Sequence, residues 1–326
     1  MHETRGSKTN FPKEVIGSNI PVDGFYGYPI GKTKRKKILN ALFVWGWLCR
    51  HRFTDVVSLM PSERLPDQIK RDQLFFSLAG IPIKYGFHKF SKHLLYPRDA
   101  LGNPGRTMHE AWFYLRRLEL SGICTKEESD LQKPFFKISA FVEQKAKEWL
   151  KHRGWDPSMP LVAIGPGAKK PVSHWSLERF EEIGRRLLEH KRYKIVIVGG
   201  EAERQAGNNL VAKLPGTLNA AGSFDVLGSA AILKYCNLLI GLDTGSTHLA
   251  AFMGIPCVAL YSGVDHPGRW DLLGEGHHIL RKVVPCSPCQ VLFGACPIIG
   301  HPCMNQISVD EVWEYVRLSL KLTSRN

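Results

Sequence analysis

The stretch from Cys236 to Tyr261, CNLLIGLDTGSTHLAAFMGIPCVALY, says more about the architecture than any other part of the chain. It begins with an apolar run around Leu238–Ile240 that has the length of a buried strand. Ser246–Met253 then predicts a short helix, and a second apolar run, Cys257–Tyr261, follows a turn at Gly254-Ile255-Pro256. A strand, a helix and a second strand in this order predict one unit of a parallel sheet.

The same alternation extends to both sides of this stretch. Upstream, the pattern predicts two strands and three helices, at Leu161–Ile164, Lys194–Val198, Ser176–His190, Glu201–Leu214 and Phe224–Lys234. Downstream, Val309–Lys321 predicts a closing amphipathic helix. Strands separated by helices of this length predict a parallel sheet covered on both faces. Such sheets bind ligands in the crevice beyond the carboxyl ends of their strands.

The first part of the chain is less regular. It predicts four helices, at Lys34–Arg50, Gln68–Ala79, Thr107–Leu120 and Phe141–His152, and two strands, at Phe53–Leu59 and Ile81–Phe87. Arg153–Pro157 has the composition of a linker. We therefore predict an α/β chain with domains at residues 1–152 and 153–308 and a closing helix at 309–326.

Composition and charge narrow the function classes. The chain has 326 residues, 44% of them apolar, which suffices for two domains with a sizeable core. Its net charge is +14, and residues 1–100 hold 17 Lys and Arg against 8 Asp and Glu. A basic face attracts nucleic acid, anionic membranes or phosphorylated substrates, and it also occurs as a plain solvated surface. Because no nucleic-acid-binding module accompanies the charge, nucleic acid is not a predicted partner.

Targeting signals are the next feature. No apolar run reaches the length that spans a bilayer, and the first residues carry no apolar signal region. These observations predict a cytoplasmic protein, soluble or peripheral on the inner membrane. The basic start of the Lys34–Arg50 helix, followed by a Trp-bearing face, suits a membrane surface, and it also suits an ordinary helix packed on a sheet, which is the commoner case.

The sharpest candidate site lies between the strand and the helix of the opening stretch. The first N–H groups of a helix are unpaired, and the helix dipole there favours anions. Gly245 allows a ligand close to the backbone, Asp243 can accept from sugar or ribose hydroxyls, and His248 can reach a phosphate or a sugar hydroxyl. Further hydroxyl donors are Thr244, Ser246 and Thr247. The alternative is a simple N-cap, with Asp243 or Thr244 capping the helix and His248 packed.

A second candidate loop follows the strand Leu161–Ile164. Its candidate binding residues are Pro166, Gly167, Ala168, Lys169 and Lys170. The glycine frees the backbone, and the two lysines supply charge for a diphosphate. We expect both loops to rim one crevice. Because the chain has no Asp-x-Asp motif to bridge a diphosphate through a metal, we expect no catalytic metal and neutralisation by lysine and helix dipoles.

Four cysteines cluster late in the chain, within residues 285–304. Cys286 and Cys289 form a Cys-x-x-Cys pair, and Cys296 and Cys303 follow. Four thiolates in one short loop suit a tetrahedral zinc or iron site, in which His301 can replace one thiol. Because all four positions would be filled, such a site would be structural. The alternatives are reduced cysteines or a redox-sensitive pair.

These segments resemble a known family, glycosyltransferase family 9, the lipopolysaccharide heptosyltransferases. Asp243–Ala251 with Gly254–Tyr261 is similar to that family's signature. Further similar segments are Pro166-Gly167-Ala168, His174-Trp175-Ser176, Arg179-Phe180, Ile197–Arg204 and the cysteine segment through Ile307. The likeness runs from about Phe53 to the C-terminus.

The resemblance implies a GT-B fold, with two Rossmann-like domains and parallel sheets facing a cleft. The N-terminal domain would bind the acceptor, and residues 153–308 would bind the nucleotide sugar. It further implies inverting transfer of a heptose-like sugar from ADP-heptose, an ADP-sugar donor. The acceptor would be an anionic lipid-linked oligosaccharide, typically the lipopolysaccharide core, at the inner membrane surface.

Two features depart from the family pattern. The family's opening strand and Gly-Asp loop, whose Asp is taken as the general base, are not found here, so we expect either a start further upstream or an incomplete N-terminal domain. Ser173 stands where the family often has a phosphate-binding lysine, a role that Lys169 or Lys170 would fill. The catalytic base remains unassigned among the nearby carboxylates, which are Asp55, Glu63, Asp67 and Glu110.

Three hypotheses follow for the function. The first is a glycosyltransferase of this family. The second, favoured by the missing opening loop, is a catalytically impaired protein that still binds a nucleotide sugar. The third is a nucleotide-sugar epimerase or hydrolase, which would need carboxylates near the anomeric carbon, and none is evident.

Overall fold

The computed structural model describes residues 33–123, 137–291 and 294–322, together with the backbone of residues 2–4 and 27–29. The chain forms two compact units. The first comprises Met1–Glu128 and Pro267–Arg269, and the second comprises Ser129–His266 and Trp270–Asn326.

The first unit combines pairs of parallel strands with helices. Its strands are β1 (His2–Thr4), β2 (Gly27–Pro29), β3 (Asp55–Val57) and β4 (Ile83–Tyr85), and its helices are α1 (Lys34–His51), α2 (Pro66–Leu78), α3 (Lys92–Leu95) and α4 (Glu110–Leu120). β1 pairs with β2, and β3 pairs with β4. β3, α2 and β4 thus form a βαβ unit. Val44 and Leu48 of α1 are buried in one small core with Ile81.

The second unit contains the longer and more regular elements. In chain order they are α5 (Ala140–His152), β5 (Leu161–Gly165), α6 (Leu177–Glu189), β6 (Lys194–Ile197), α7 (Arg204–Lys213), β7 (Leu218–Asn219), α8 (Val226–Lys234), β8 (Cys236–Leu242), α9 (Gly245–Phe252), β9 (Cys257–Tyr261), β10 (His278–Arg281), α10 (Pro302–Asn305) and α11 (Val309–Leu320). Short 3-10 turns at Pro171–Ser173 and Glu201–Glu203 precede α6 and α7.

The second unit is built on a parallel sheet with strand order β10-β9-β8-β5-β6-β7. Alternate residues of each strand enter different cores: Val162 and Ile164 of β5 lie in one, and Leu161 and Ala163 lie in the other. Helices α6 and α11 pack on the first core, and α5 and α8 pack on the second. This double cover explains why the strands are continuous apolar runs, as the sequence predicted.

The division between the units differs from the predicted boundary between residues 152 and 153. Helix α5 belongs to the second unit, because its Ala146 and Leu150 are fully buried in the same core as Ala231 and Leu233 of α8. A linker composition at Arg153–Pro157 therefore marks a turn inside the second unit. Within the described ranges, none of the helices is both long enough and apolar enough to cross a bilayer.

Candidate functional site

The sheet of the second unit has a topological switch point between β5 and β8. From β5 the chain adds β6 and β7 on one side, and then returns to add β8, β9 and β10 on the other. Gly165, at the end of β5, lies in register with Gly241 of β8. The two predicted loops therefore leave neighbouring parallel strands at the same edge of the sheet, where open α/β sheets hold their ligands.

The start of helix α9 is not capped by a side chain. Thr244 is the N-cap residue with an extended backbone, but its side chain makes no capping hydrogen bond. The Asp243 carboxylate accepts instead from His248, with 3.3 Å between Oδ1 and Nε2. The alternative of a simple N-cap by either residue is therefore wrong for this structure. The positive end of the helix dipole is left for a ligand.

Asp243 and His248 are both partly buried at this edge. Their side chains are 18% and 25% exposed. The neighbouring Tyr261 is buried, and its pKa is raised by that burial and further by the charges of Asp243 and Asp271. Tyr261 therefore stays neutral beside Asp243 and donates its hydroxyl to the carbonyl of Trp270.

Two residues of this helix start differ in what they offer a ligand. The hydroxyl of Thr247 is buried and donates to the carbonyl of Leu242 at 2.6 Å, so it joins helix to strand and is not a ligand donor as the sequence had suggested. Gly245 faces open space, because a Cβ placed on it would meet no atom of the described structure within 4 Å. The space in front of Gly245 is therefore available to a ligand.

The glycine of the second loop lies against the side chain of a neighbouring residue. A Cβ on Gly167 would lie 2.1 Å from Cγ of Glu203, a residue of the turn after β6. The Glu203 carboxylate accepts from the N–H of Gly200 at 2.7 Å. Sequence reasoning missed Glu203 as a site residue. Its place in the turn that follows β6 was the signal that could have found it.

The two lysines of this loop behave differently. Lys170 forms an ion pair with Asp265, with 2.8 Å between Nζ and Oδ2, and both side chains are partly buried. Lys169 is exposed. Lys170 is thus held at the crevice edge by a carboxylate that the sequence did not single out. Asp265 follows β9, the strand beside β8, and this position was the signal that could have found it.

Several residues next to this loop, in segments compared above with family 9, make structural contacts. Ser173 is buried, and its hydroxyl bonds that of Ser262 at 2.9 Å. Trp175 is buried and donates from Nε1 to the carbonyl of Ile307 at 3.0 Å. Arg179 donates to the same carbonyl and lies over the Trp175 ring. These contacts hold the segment after α10 against the sheet.

The four late cysteines line one cavity of about 330 Å³, together with His301. Burial raises the pKa of Cys303, and the other three thiols raise it further. Over the described ranges, however, no three His, Cys, Asp or Glu side chains are arranged as metal ligands. The predicted four-thiolate geometry is therefore not formed, although the four residues are brought together.

The four carboxylates considered as the general base lie in the first unit. The contacts of Glu110 rule it out for that role. Its side chain is 2% exposed and accepts from the N–H and the hydroxyl of Ser62, at 2.6 and 2.7 Å. Burial and the Glu110 charge raise the pKa of Tyr114 to about 12. Arg269 pairs with Glu63 and lies 3.7 Å from Glu110.

The two remaining candidates are less constrained. Asp55 is exposed and accepts from the hydroxyl of Thr54 at 2.6 Å, and Asp67 lies in the first turn of α2. The contacts of these four carboxylates therefore do not identify any of them as the general base.

The fold places the second unit among the Rossmann-like α/β domains that bind ligands at a switch point. A family model described as "Glycosyltransferase family 9 (heptosyltransferase)" matches residues 64–293. The chain belongs to this family, and the resemblance predicted from its motifs is confirmed.

Curated relatives of the chain are also heptosyltransferases. The chain is 25% identical over 239 residues to lipopolysaccharide heptosyltransferase 2 of Escherichia coli K12, covering 67% of this chain and 66% of that protein. It is 28% identical over 137 residues to the Salmonella typhimurium protein of the same name, covering 38% and 39%. The matches thus span less than two thirds of these relatives' length.

Solved structures confirm the predicted GT-B fold class. The family 9 glycosyl transferase of Veillonella parvula superimposes with a TM-score of 0.70 at 19% identity, covering 95% of this chain and 86% of that one. The ADP-heptose heptosyltransferase II of E. coli gives 0.58 at 18% identity, covering 90% and 83%. An E. coli heptosyltransferase solved with ADP gives 0.54 at 14% identity, covering 90% and 83%.

Proposed function

We propose that this chain transfers a heptose-like sugar, with inversion, from ADP-heptose to a lipid-linked acceptor such as the lipopolysaccharide core. The observation that carries the proposal is the pairing of two loops at one switch point, the uncapped start of α9 and the loop bearing Lys170. Family membership supports it, and one structural relative, an E. coli heptosyltransferase, was solved both with ADP and with ADP-2-deoxy-2-fluoro heptose.

In this proposal each side of the crevice has its own task. The N–H groups at Gly245 and Ser246 and the Lys170 ammonium stabilise the diphosphate, whose charge grows as the sugar leaves. Asp243 accepts hydrogen bonds from hydroxyls of the sugar or ribose, and its contact with Nε2 holds His248 toward the same space. Pro166, Ala168 and the exposed Lys169 complete the rim. Charge neutralisation by these groups requires no catalytic metal.

A transfer assay tests this function. We expect the chain, given ADP-heptose and a detergent-dispersed lipopolysaccharide-core acceptor, to release ADP and form one new glycosidic bond of inverted configuration. Adding divalent metal is expected not to raise the rate. Donor binding without transfer would favour the impaired binding protein, and ADP release without acceptor would favour a hydrolase. Either result would overturn the proposed transferase.

We also propose that Cys286, Cys289, Cys296 and Cys303 close around one structural zinc or iron ion when it binds, because four thiols suit such an ion although they are not arranged as ligands in the described structure. The proposal is supported by their shared cavity and by the loop's attachment to the site. The N–H of Cys289 donates to the carbonyl of Gly263 at 2.9 Å, two residues before the Asp265 that holds Lys170. A metal here would stiffen the strand-end loop from which Asp265 extends.

Elemental analysis of the purified protein checks the metal. About one zinc or iron ion per chain is expected, lost on Cys303→Ser, together with a fall in thermal stability. Cys257→Ser is the matched control, because Cys257 is also buried but lies in β9, away from the cavity. A metal-free wild-type protein, or equal metal content in Cys303→Ser, would remove the proposal.

A further inference from the structure

The ion pair between Lys170 and Asp265 joins the loops of two strands that are not neighbours. Lys170 follows β5 and Asp265 follows β9, and β8 lies between these two strands in the sheet. The Lys170 Nζ and the Asp265 Oδ2 are 2.8 Å apart, and the two side chains are 32% and 20% exposed. The pair therefore spans the carboxyl end of β8, where the uncapped helix α9 begins.

Other bonds already hold these two loops in place. Ser173 lies three residues after Lys170 and Ser262 lies three residues before Asp265, and their buried hydroxyls bond each other at 2.9 Å. The backbone carbonyl of Val264 accepts from a backbone N–H of the cysteine-bearing loop at 3.0 Å. An ion pair that is partly open to solvent adds little stability by comparison. The Lys170–Asp265 pair is therefore not needed to keep the two loops together.

What the pair does fix is the position of the Lys170 ammonium. A lysine side chain is long and flexible, so an ammonium without a partner samples many positions. An ammonium carries three N–H donors, and Lys170 gives one of them to a single oxygen of Asp265. One ion pair thus restricts the ammonium while leaving N–H donors for the oxygens of a diphosphate.

We infer that Asp265 is a positioning residue, which holds the Lys170 ammonium at the carboxyl end of β8 to meet the diphosphate of the donor. The inference rests on the proposed function, in which Lys170 stabilises that diphosphate. It adds that a carboxylate, although it repels an anionic ligand, belongs to the machinery that binds one.

The two effects of Asp265 on a diphosphate have opposite signs. Its negative charge repels the ligand, so electrostatics alone predicts tighter binding once the charge is removed. Its hold on Lys170 favours the ligand, so positioning predicts weaker binding after the same change, because the freed ammonium must be ordered again. The direction of the change in affinity therefore separates a positioning residue from a mere neighbouring charge.

Calorimetric titration of the full chain with ADP tests the inference. Asp265→Asn, which removes the charge and keeps the shape, is expected to weaken ADP binding by about threefold to tenfold. Lys170→Met is expected to weaken it by about tenfold. Asp265→Asn added to Lys170→Met is expected to bring no further loss, since Asp265 acts through the ammonium. Asp265→Glu, which retains the charge, is expected to recover most of the affinity.

The matched control is a lysine–carboxylate pair at the other end of β8. Glu143 pairs with Lys234, the last residue of α8, at 2.7 Å, and β8 begins two residues later. Glu143→Gln changes the net charge as Asp265→Asn does and is expected to bind ADP like the wild type.

Three results would overturn the inference. The first is ADP binding by Asp265→Asn that equals or exceeds that of the wild type. The second is a further loss when Asp265→Asn is added to Lys170→Met, because Asp265 would then act independently of the ammonium. The third is a wild-type protein that binds no ADP, which would remove the proposed donor site as well. Because ADP binding is measured without an acceptor, a failed transfer assay alone would overturn only the transferase.

Discussion

Asp243→Ala is expected to weaken binding of an ADP-sugar about a hundredfold, measured by calorimetry. The carboxylate lies at the end of β8 beside the uncapped start of α9, and its side chain is 18% exposed. Removing it takes away an ionised acceptor for donor hydroxyls. It also releases His248, whose Nε2 it holds at 3.3 Å. Both losses act on the same ligand, so the effect exceeds that of a single neutral hydrogen bond.

Asp225 supplies the control for this variant. It is the N-cap of α8 in the same unit, and its Oδ1 accepts from the N–H of Gly228 at 2.7 Å. Asp225→Ala should cost about 1 kcal/mol of stability while leaving donor affinity unchanged. If Asp243→Ala bound the donor as the wild type does, Asp243 would have no place in the binding site.

Arg117→Met is expected to destabilise the first unit by about 3–5 kcal/mol. The guanidinium is buried, which lowers its pKa, and it donates to backbone carbonyls of the two loops that follow β3 and β4. Its acceptors are the carbonyls of Met60, Pro61, Ser62 and His88. Methionine fills much of the volume but leaves these carbonyls unpaired, and it removes a positive charge near buried Glu110.

Urea unfolding measures this loss, and the adjacent residue provides the comparison. Arg116 lies on the same helix but is exposed, and it pairs with the exposed Glu119. Arg116→Met should change the free energy of unfolding by less than about 0.5 kcal/mol. Equal effects of the two substitutions would show that the buried hydrogen bonds of Arg117 contribute little.

The central elements of the second unit were predictable from local sequence. β9 begins and ends where its apolar run does, at Cys257 and Tyr261, because a strand covered on both faces is apolar throughout. The edge strands β7 and β10 were missed. β7 has only two residues, and β10 begins with a half-exposed histidine, so neither shows a continuous apolar run. Edge strands lack the burial that makes such runs necessary.

The candidate site was predictable only in part. Each loop was recognisable from its own residues, since a glycine-bearing turn after an apolar strand is a local pattern. The partners were not, because Lys170 and Asp265 are 95 positions apart and meet only when β5, β8 and β9 assemble. The same applies to Glu203 against Gly167. A local sequence pattern indicates which loop can bind a ligand. The order of the strands determines which distant side chains lie beside that loop.

The two compact units divide at a different place from the predicted boundary for a related reason. Helix α5 has an apolar face that fits either unit, and no local signal tells which sheet will bury it. The composition of Arg153–Pro157 therefore suggested a linker, whereas contacts with α8 place the helix in the second unit.

Calorimetric titration of the wild type and of Gly245→Leu with ADP-heptose tests the central claim most directly. A side chain at Gly245 meets no neighbouring atom, so the variant should fold normally while its leucine fills the space in front of α9. Gly46→Leu, at another helical glycine with no close neighbour, is the control. The account predicts one donor molecule per chain for wild type and Gly46→Leu, and no measurable binding for Gly245→Leu. Undiminished donor binding by Gly245→Leu would contradict it.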